Sequence, residues 1–403
     1  MALDFPNSPT VGQTYNGYIY DGTKWKASPT SVAPSVVSAT PPTNPTVGDM
    51  WFNSTDGTMY FYYNDGNTSQ WVESRAPIVA NGYYSPNYII NGGFDIWQRG
   101  TSFANPSNVT TFTADRYFHY RSNLVTGQTT SRQSSGLPGI QYCARVQRAS
   151  GNTSAETLNL LANTIETANA VLLAGKTVTL SFYARAGANF SGSFLAVSTT
   201  SGTGVDQNPF SWTGGTTVIG SSATLTTSWQ RYTFTGTVPS NSTELYTNFY
   251  YTPSGTAGAN DYYEITGVQL EEGSAATTFR RNANSIEGEL AACQRYYTRY
   301  SLPVGAILGT GHCYFNTGAY IGVHYPTEMR SAPAAIDYST LSYFNVYSGG
   351  INRVPTSIGL ASGSSSNKTA LIGFAGATGF TAGYGAWLES NNAGAYVGFS
   401  AEL

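Results

Sequence analysis

NYIINGGFDIWQRGTSF, residues 87–103, carries two opposed signals in one stretch. Ile89 and Ile90 run into Gly92-Gly93, and Phe94, Asp95, Ile96, Trp97, Gln98 and Arg99 follow. A Trp, an Asp and an Arg so close together have the chemistry of a binding lip. On a strand, however, 95, 97 and 99 share one face while 94, 96 and 98 share the other. The glycines then allow the tight entry that an opening strand needs. This second reading makes the stretch the first strand of a β domain, with Trp97 wedged against a neighbouring element and Asp95 holding a turn or an ion. Another acid–Arg pair, Asp115-Arg116 in TADRYFHY (113–120), is placed to meet the same face.

Downstream residues extend that domain. KTVTLSFYARAG (176–187) alternates Val178, Leu180, Phe182 and Ala184 on one face, the pattern of a half-buried strand. SWQRYTFTGTVP (228–239), ELYTNFYYTP (244–253) and DYYEITGVQLEEG (261–273) read as further strands. Strands separated by Gly/Ser/Thr turns predict a jelly-roll β-sandwich over 87–281. SAETLNLLANTIETANAVLLAG (154–175) fits a helical pattern, but its neighbourhood favours a strand followed by a turn or short helical segment. In NSIEGELAACQRYYTRYS (284–301), Ile286, Leu290, Cys293, Tyr297 and Tyr300 follow a 4-3-4-3 rhythm. That predicts a helix within 282–301, either packed on its own domain or forming a trimeric bundle. Residues 302–403 read as a C-terminal β-sandwich-like domain rich in Gly.

The N-terminal part holds a degenerate repeat. SPTVGQTYNGYIYDGTKWKAS (8–28) is echoed by NPTVGDMWFNSTDGTMYFYYNDGNTSQWVES (44–74). Each copy reads as Pro-Thr-Val-Gly, an aromatic strand, an Asp-Gly turn, a second aromatic strand and a Trp. Asp21-Gly22, Asp56-Gly57 and Asp65-Gly66 supply the positive φ of two-residue hairpin turns. The expected organisation is a β module at 1–28, an extended Pro/Ser/Thr linker at 29–45, a second module at 46–76 and a short linker at 77–86. Modules of this size are too small to bury a core alone. The fold class is therefore all-β with one short helix.

Only 10% of the 403 residues are charged, and the 19 basic residues are four Lys and fifteen Arg. An ordinary globular chain carries about 25%. A formal net charge of -3 gives no footprint for nucleic acid. Gly (44) and Tyr (30) dominate instead, the mixture of short strands, tight turns and wet aromatic surfaces. Such a weakly charged β surface associates readily, which predicts an oligomer or a larger assembly. Cys143, Cys293 and Cys313 are odd in number and far apart, so buried thiols are expected rather than a disulfide framework or zinc site. No secretory signal and no segment for membrane insertion is visible.

Catalytic signatures are missing: no GxSxG elbow, HExxH, P-loop or GxGxxG follows a strand. His119, His312 and His324 are dispersed, and His312-Cys313 would face opposite sides of a strand. The carboxylates Glu271-Glu272 and Asp261/Glu264 show the same odd spacing. The expectation is a protein that is not an enzyme. Aromatic runs are the positive signal: Tyr60 to Tyr63, Phe249-Tyr250-Tyr251, and Tyr343, Phe344 and Tyr347. Alternate residues of each run point inward to a core or interface, and the outward half is suited to stack on sugar rings. With the polar loops ASGSSSNKTA (361–370) and LESNNAGAY (388–396), this nominates Tyr343, Tyr347, Asn367, Asn391 and Asn392 as glycan contacts.

Taken in order, NYIINGGFDIWQRGTSF, TADRYFHY, LAGKTVTLSFYARAG (173–187), SWQRYTFTGTVP and EITGVQLEEGSAATTFRRNANSIEGELAACQRYYTRY (264–300) resemble bacteriophage tail-fibre and tail-appendage proteins. The two N-terminal modules, PTEMRSAPA and GAYVGFSAEL are similar to parts of the same virion proteins. The middle domain resembles carbohydrate-binding jelly rolls, whose first strand carries a comparable Asn-Gly-x-Phe-acidic motif. That likeness implies a structural calcium held by Asp95, with Asp261 standing in for a late-strand acid where this chain has Thr266 and Gly267. It also implies a homotrimeric virion fibre. Such a fibre attaches to other tail or capsid proteins through its N-terminus and reads host surface polysaccharide or an outer-membrane receptor through its C-terminal part. A fibre or decoration protein without receptor binding, and a polysaccharide depolymerase, stay open as alternatives.

Overall fold

The computed structural model describes residues 6–15, 18–27, 36–55, 57–73, 86–104, 110–119, 127–361, 363–375 and 378–403. Contacts divide them into two compact units, one up to residue 73 and one from residue 86 onward. The expected linker at 77–86 falls almost wholly outside the described residues.

In the first unit, Thr14–Tyr15, Tyr18–Tyr20 and Trp25–Ala27 form a three-stranded antiparallel sheet. Met50–Asn53, Thr58–Asn64 and Ser69–Glu73 form the second module. Gly22, Gly57 and Gly66 all adopt positive φ, as Asp-Gly requires. The loops are longer than two residues, however: Tyr20 pairs with Trp25, and Asn64 pairs with Ser69. The Asp side chains set that length. Asp21 Oδ1 accepts from the backbone N–H of Thr23 and Lys24, and Asp65 Oδ1 does the same for Asn67 and Thr68. The 29–45 segment is also not wholly a linker, because Val36–Ser38 pairs in parallel with Met50–Asn53. Trp51, the one residue of this unit in a hydrophobic core position among those described, donates its indole N–H to Ser38 O at 3.1 Å.

The second unit opens with a two-sheet sandwich. One sheet runs in the order Thr216–Ala223, Leu195–Gly202, Glu244–Tyr251, Leu158–Ile165, Tyr117–His119, Thr111–Phe112. The other runs Gln230–Thr237, Thr177–Ala186, Tyr262–Glu272, Ile140–Arg148, Gln128–Leu137, Ser102–Ala104. All pairings are antiparallel, and non-consecutive strands lie side by side, which is the jelly-roll arrangement. The inner faces meet through Phe182 and Phe249, edge-on at 5.0 Å, and Tyr251 and Tyr263 at 5.7 Å. Segment 154–175 resolves as strand Leu158–Ile165 followed by a helical turn from Thr167 to Leu173. In Thr177–Ala186 the predicted inner row is fully buried, but Thr179 and Ser181 on the other face are buried too. That face is covered, because residues after Gly273 return across it.

Two expectations fail here. The helix spans only Ile286–Gln294, started by Ser285, whose hydroxyl accepts from Gly288 N–H. Tyr297 and Tyr300 lie instead in strand Tyr297–Leu302, paired with Ala395–Ser400. Aromatic and β-branched residues in YTRYS favour a strand with a partner waiting, and this removes two of the five positions of the supposed bundle seam. The second failure is 87–103, which is no opening strand. Asn91 and Phe94 both have positive φ, and the first strand in this stretch is Ser102–Ala104. From Tyr297 onward, five residues before the expected boundary at 302, a seven-stranded and a three-stranded sheet enclose a separate core built from Ile321, Ile372, Leu388 and Phe399.

Residues 87–92 occupy a strand's place beside Val268–Leu270, but side chains supply part of the ladder. Asn87 Nδ2 donates to Val268 O and Arg280 O, while its Oδ1 accepts from Ile89 and Leu270 N–H. Asn91 does the same one turn later, donating to Ile96 O and Asp115 O and accepting from Ile96 N–H. Gly92 is required because a Cβ there would lie 2.0 Å from Val268 O. Replacing Gly92 by Ala is expected to cost about 3 kcal/mol or more. Gly385→Ala, where a Cβ meets nothing within 4 Å, should cost little. Denaturant unfolding checks the contrast, and equal stability of the two variants contradicts it.

Candidate functional site

Asp95, Trp97 and Arg99 point three ways. Asp95 is paired with Arg281 (Nε 2.8 Å, Nη2 3.3 Å). Trp97 is buried, donating to Phe94 O at 2.7 Å and stacking on Phe103. Arg99 lies over the Tyr297 ring at 3.4 Å and reaches Glu402. Arg116 joins the same Glu402 carboxylate, stacks on Tyr296 and donates to Thr164 O. Gln98 bridges Asp115 and Tyr297 O. The opening stretch is therefore a joint between the sandwich and the C-terminal sheets, and not a binding lip.

The residues named for calcium do not fit that ion. Calcium takes six to eight oxygens. Asp95 already has a guanidinium on it. Asp261 is unexposed and held by Arg148 Nη1 (2.8 Å), Ser191 N–H and Oγ, and the Tyr251 hydroxyl. Among the described residues no three His, Cys, Asp or Glu side chains gather to hold a metal.

The acids considered for hydrolysis are similarly engaged. Glu264 is unexposed between Arg145 (Nη2 2.6 Å) and Arg185 (Nε 2.5 Å). Glu271 accepts from Thr277 N–H and Oγ1, while Glu272 on the opposite face pairs with Lys176. His312 is exposed and Cys313 buried, on opposite faces of one strand, and all three thiols are buried.

Of the five residues proposed for glycan, Tyr343 meets the turn that holds Asn391 and Asn392, with Asn391 N–H donating to Tyr343 O. Asn392 Oδ1 is used inside that turn, accepting from Gly394 N–H. Tyr347 lies on the outer face of the seven-stranded sheet, stacked on Trp387 at 4.1 Å. Asn367 is elsewhere, donating to Glu328. The structure thus joins three of the five and leaves two apart.

The two outer faces of the sandwich differ sharply. On the sheet containing Tyr262–Glu272, a bulge at Gly267 (φ 61) shifts the register against Thr177–Ala186. Beyond the bulge, residues 273–281 lie across the face, tied by Glu271 to Thr277 and by Gln269 Oε1 to Arg280 N–H. Before it, Arg145 stacks on Tyr262 and Arg185 on Trp229, whose indole N–H donates to Ser135 O. The chain's own groups occupy this face.

The other sheet's outer face is open around Tyr250, while Glu244, which shares its side of the strand, is buried at the far end and accepts from Gln207 N–H. Register places Asn159, Tyr250, Ala196 and Ser222 in one row, and Asn248, Ser198 and Gly220 in the next. Phe249 and Tyr251 point inward and are buried, leaving Tyr250 outward as alternation requires. Tyr250, Phe194, Ser193, Ala196 and Thr252 line a cleft of about 290 Å³, and Phe194 is exposed. Asn248 Oδ1 is buried without a hydrogen-bond partner among the described residues. Further along, Tyr246 meets Trp212 edge-on at 5.0 Å. Ring faces and flanking hydroxyls match the CH faces and hydroxyls of a sugar. The sequence named the run Phe249-Tyr250-Tyr251 with alternate residues outward, but none of the five nominated glycan contacts lies on this face. Trp212 and Phe194 stand outside the aromatic runs, so nothing marked them.

No protein-family model and no curated protein matches the chain. Among solved structures, a putative sugar binding protein from Bacteroides thetaiotaomicron aligns with TM-score 0.31 and 14% identity, covering 46% of this chain and 100% of that one. A structure described as CBM4 aligns with TM-score 0.28 and 20% identity, covering 46% and 99%. The CBM22-2 xylan-binding domain from Paenibacillus barcinonensis Xyn10C gives 0.27 and 12%, covering 47% and 99%. Likeness at this level leaves function to the residues themselves.

Asp115 titrates within the joint. Burial pushes its carboxyl up to about 6, opposed by Arg99 and Gln98 and reinforced by Glu402. An unfolded Asp titrates near 4, so the folded state holds the extra proton between about pH 4 and 6. Stability contributed by this group is thus lost as pH rises through that window. The stability of Asp115→Asn relative to the parent should rise by about 2–3 kcal/mol from pH 4 to 7. Chemical unfolding across that range measures it, and a flat difference contradicts the assignment.

Proposed function

We propose that the chain is a non-catalytic virion protein of a bacteriophage fibre that recognises host surface glycan and works as a homotrimer. The single observation behind glycan recognition is the open cleft lined by Tyr250 and Phe194, set against a second face closed by its own strap and ion pairs. A non-catalytic role is supported by the carboxylates singled out from the sequence, each of which is spent on an Arg, a Lys or a Thr. The fibre role rests on the order of modules and on the motifs quoted above: small β modules, Pro-rich segment, jelly roll, helix and a loop-rich β unit. Anchoring to other tail or capsid proteins belongs to the N-terminal unit in this reading, and the C-terminal unit faces the host. Self-association is supported by the weakly charged surface, and the number three rests on the resemblance to tail-fibre proteins.

Truncation at 302 is a poor test, because Glu402 and Leu403 seat against the sandwich. Point variants serve instead. Tyr250→Ala should weaken binding of the full chain to host surface polysaccharide about tenfold with an unchanged unfolding midpoint. Unchanged binding would move recognition off this face, and no binding by the parent chain would point to a fibre that bridges virion parts without reading the host. Light scattering should return three copies of the 43.0 kDa chain. A monomer contradicts the assembly.

A further inference from the structure

On the seven-stranded sheet of the C-terminal unit, the last three strands carry a row that none of the nominated glycan contacts touches. Tyr320 pairs across to Gly373, and Gly373 to Gly359 on the edge strand Ser357–Leu360. Two adjacent glycines leave a bare backbone floor. A Cβ added at Gly359 would meet nothing within 4 Å, whereas one at Gly373 would come 3.3 Å from the Tyr320 ring. The floor is therefore open over Gly359 and walled by Tyr320 on one side.

Tyr314 and Phe315 extend that wall. Both are more than half exposed, at 54% and 57%, an unusual state for neighbouring large aromatics. Tyr314 stands 5.3 Å from Tyr320 at 58° and 4.5 Å from Phe315 at 84°. The three rings make a corner rather than a flat stack. Together with the glycine floor they enclose a groove of about 400 Å³, within the range of small-ligand clefts. Its polar side chains are hydroxyls, from Tyr314, Tyr320, Thr317 and Ser357, and among the described residues no charged side chain lines it.

We propose that this groove binds a neutral pyranose of one or two residues. Apolar CH faces would rest on the ring corner, and the sugar hydroxyls would meet the hydroxyl rim. The lack of a lining cation argues against uronic acids and phosphorylated sugars, which need a charged partner once desolvated. The inference deepens the glycan-recognition reading by giving the C-terminal unit a site of its own. It stands on a different set of residues from the Tyr250 face.

The test uses the full chain and saturation-transfer NMR, with maltose, cellobiose, lactose and laminaribiose as neutral probes and digalacturonic acid as the acidic one. At least one neutral probe should receive saturation at its ring CH protons, and digalacturonic acid should not. Tyr250→Ala, which silences the sandwich face, should leave the transfer intact. Added to that variant, Gly359→Leu, whose Cβ meets nothing within 4 Å, and Tyr314→Ala, which removes an exposed ring, should each abolish it. The proposal is overturned if no neutral probe receives saturation, or if transfer survives in the folded double variants. Transfer already lost in Tyr250→Ala assigns binding to the sandwich face and equally overturns the groove. Equal transfer to digalacturonic acid overturns the neutral class.

Discussion

Glu402, almost unexposed between Arg99 and Arg116, is the interaction on which the second unit turns. Its carboxylate links the irregular opening stretch, strand Tyr117–His119 through the neighbouring Arg116, and the end of the last strand. The two guanidinium groups lie over Tyr297 and Tyr296, so the charge cluster is roofed by aromatic rings. Removing one partner of a buried cluster strands the others, at a cost of roughly 3–5 kcal/mol. The joint explains why 87–103 is irregular. A strand would send 95, 97 and 99 to one side, whereas the joint needs Asp95 on Arg281, Trp97 in the core and Arg99 on the C-terminal sheets.

The same economy of charge shapes the surfaces. Few residues are charged, and many of them pair within the sandwich or across the joint: Arg145 and Arg185 on Glu264, Arg148 on Asp261, Arg295 on Glu166. What remains outward on the Tyr250 face and around Gly359 is ring, amide, hydroxyl and bare backbone. Surfaces of this kind recognise neutral, CH-rich ligands through stacking and hydrogen bonds, with little long-range attraction.

Period-two alternation was legible where one face meets a core. It placed Val178, Leu180 and Phe182 inward, and it split Phe249 and Tyr251 from Tyr250. Asp-Gly pairs located the positive-φ glycines, since that requirement is local. Hidden features were those set by distant partners. Residues 295–301 follow a helical rhythm, yet Ala395–Ser400 recruits Tyr297–Leu302 into a sheet nearly a hundred residues away in sequence. The covered face of Thr177–Ala186 depends on the return of 273–281. Asn87 and Asn91 read as polar punctuation, although each replaces several ladder hydrogen bonds. Of the sites, Tyr347 proved to be an outward ring, whereas Asn367 and Asn392 are engaged by their own loops or by Glu328. The glycine floor at Gly359 and Gly373 had no signature, because glycine in a strand reads first as a weak point.

The central claim is that recognition runs through uncharged aromatic surfaces while the ionic groups hold the body together. The salt dependence of binding to host surface polysaccharide tests it most directly. Ion screening removes steering between exposed charges but leaves stacking and neutral hydrogen bonds almost untouched. Affinity of the full chain should therefore stay within about twofold from about 0.05 to about 0.5 M NaCl. A loss of tenfold or more over that range would show that charge carries the recognition, and would contradict the account.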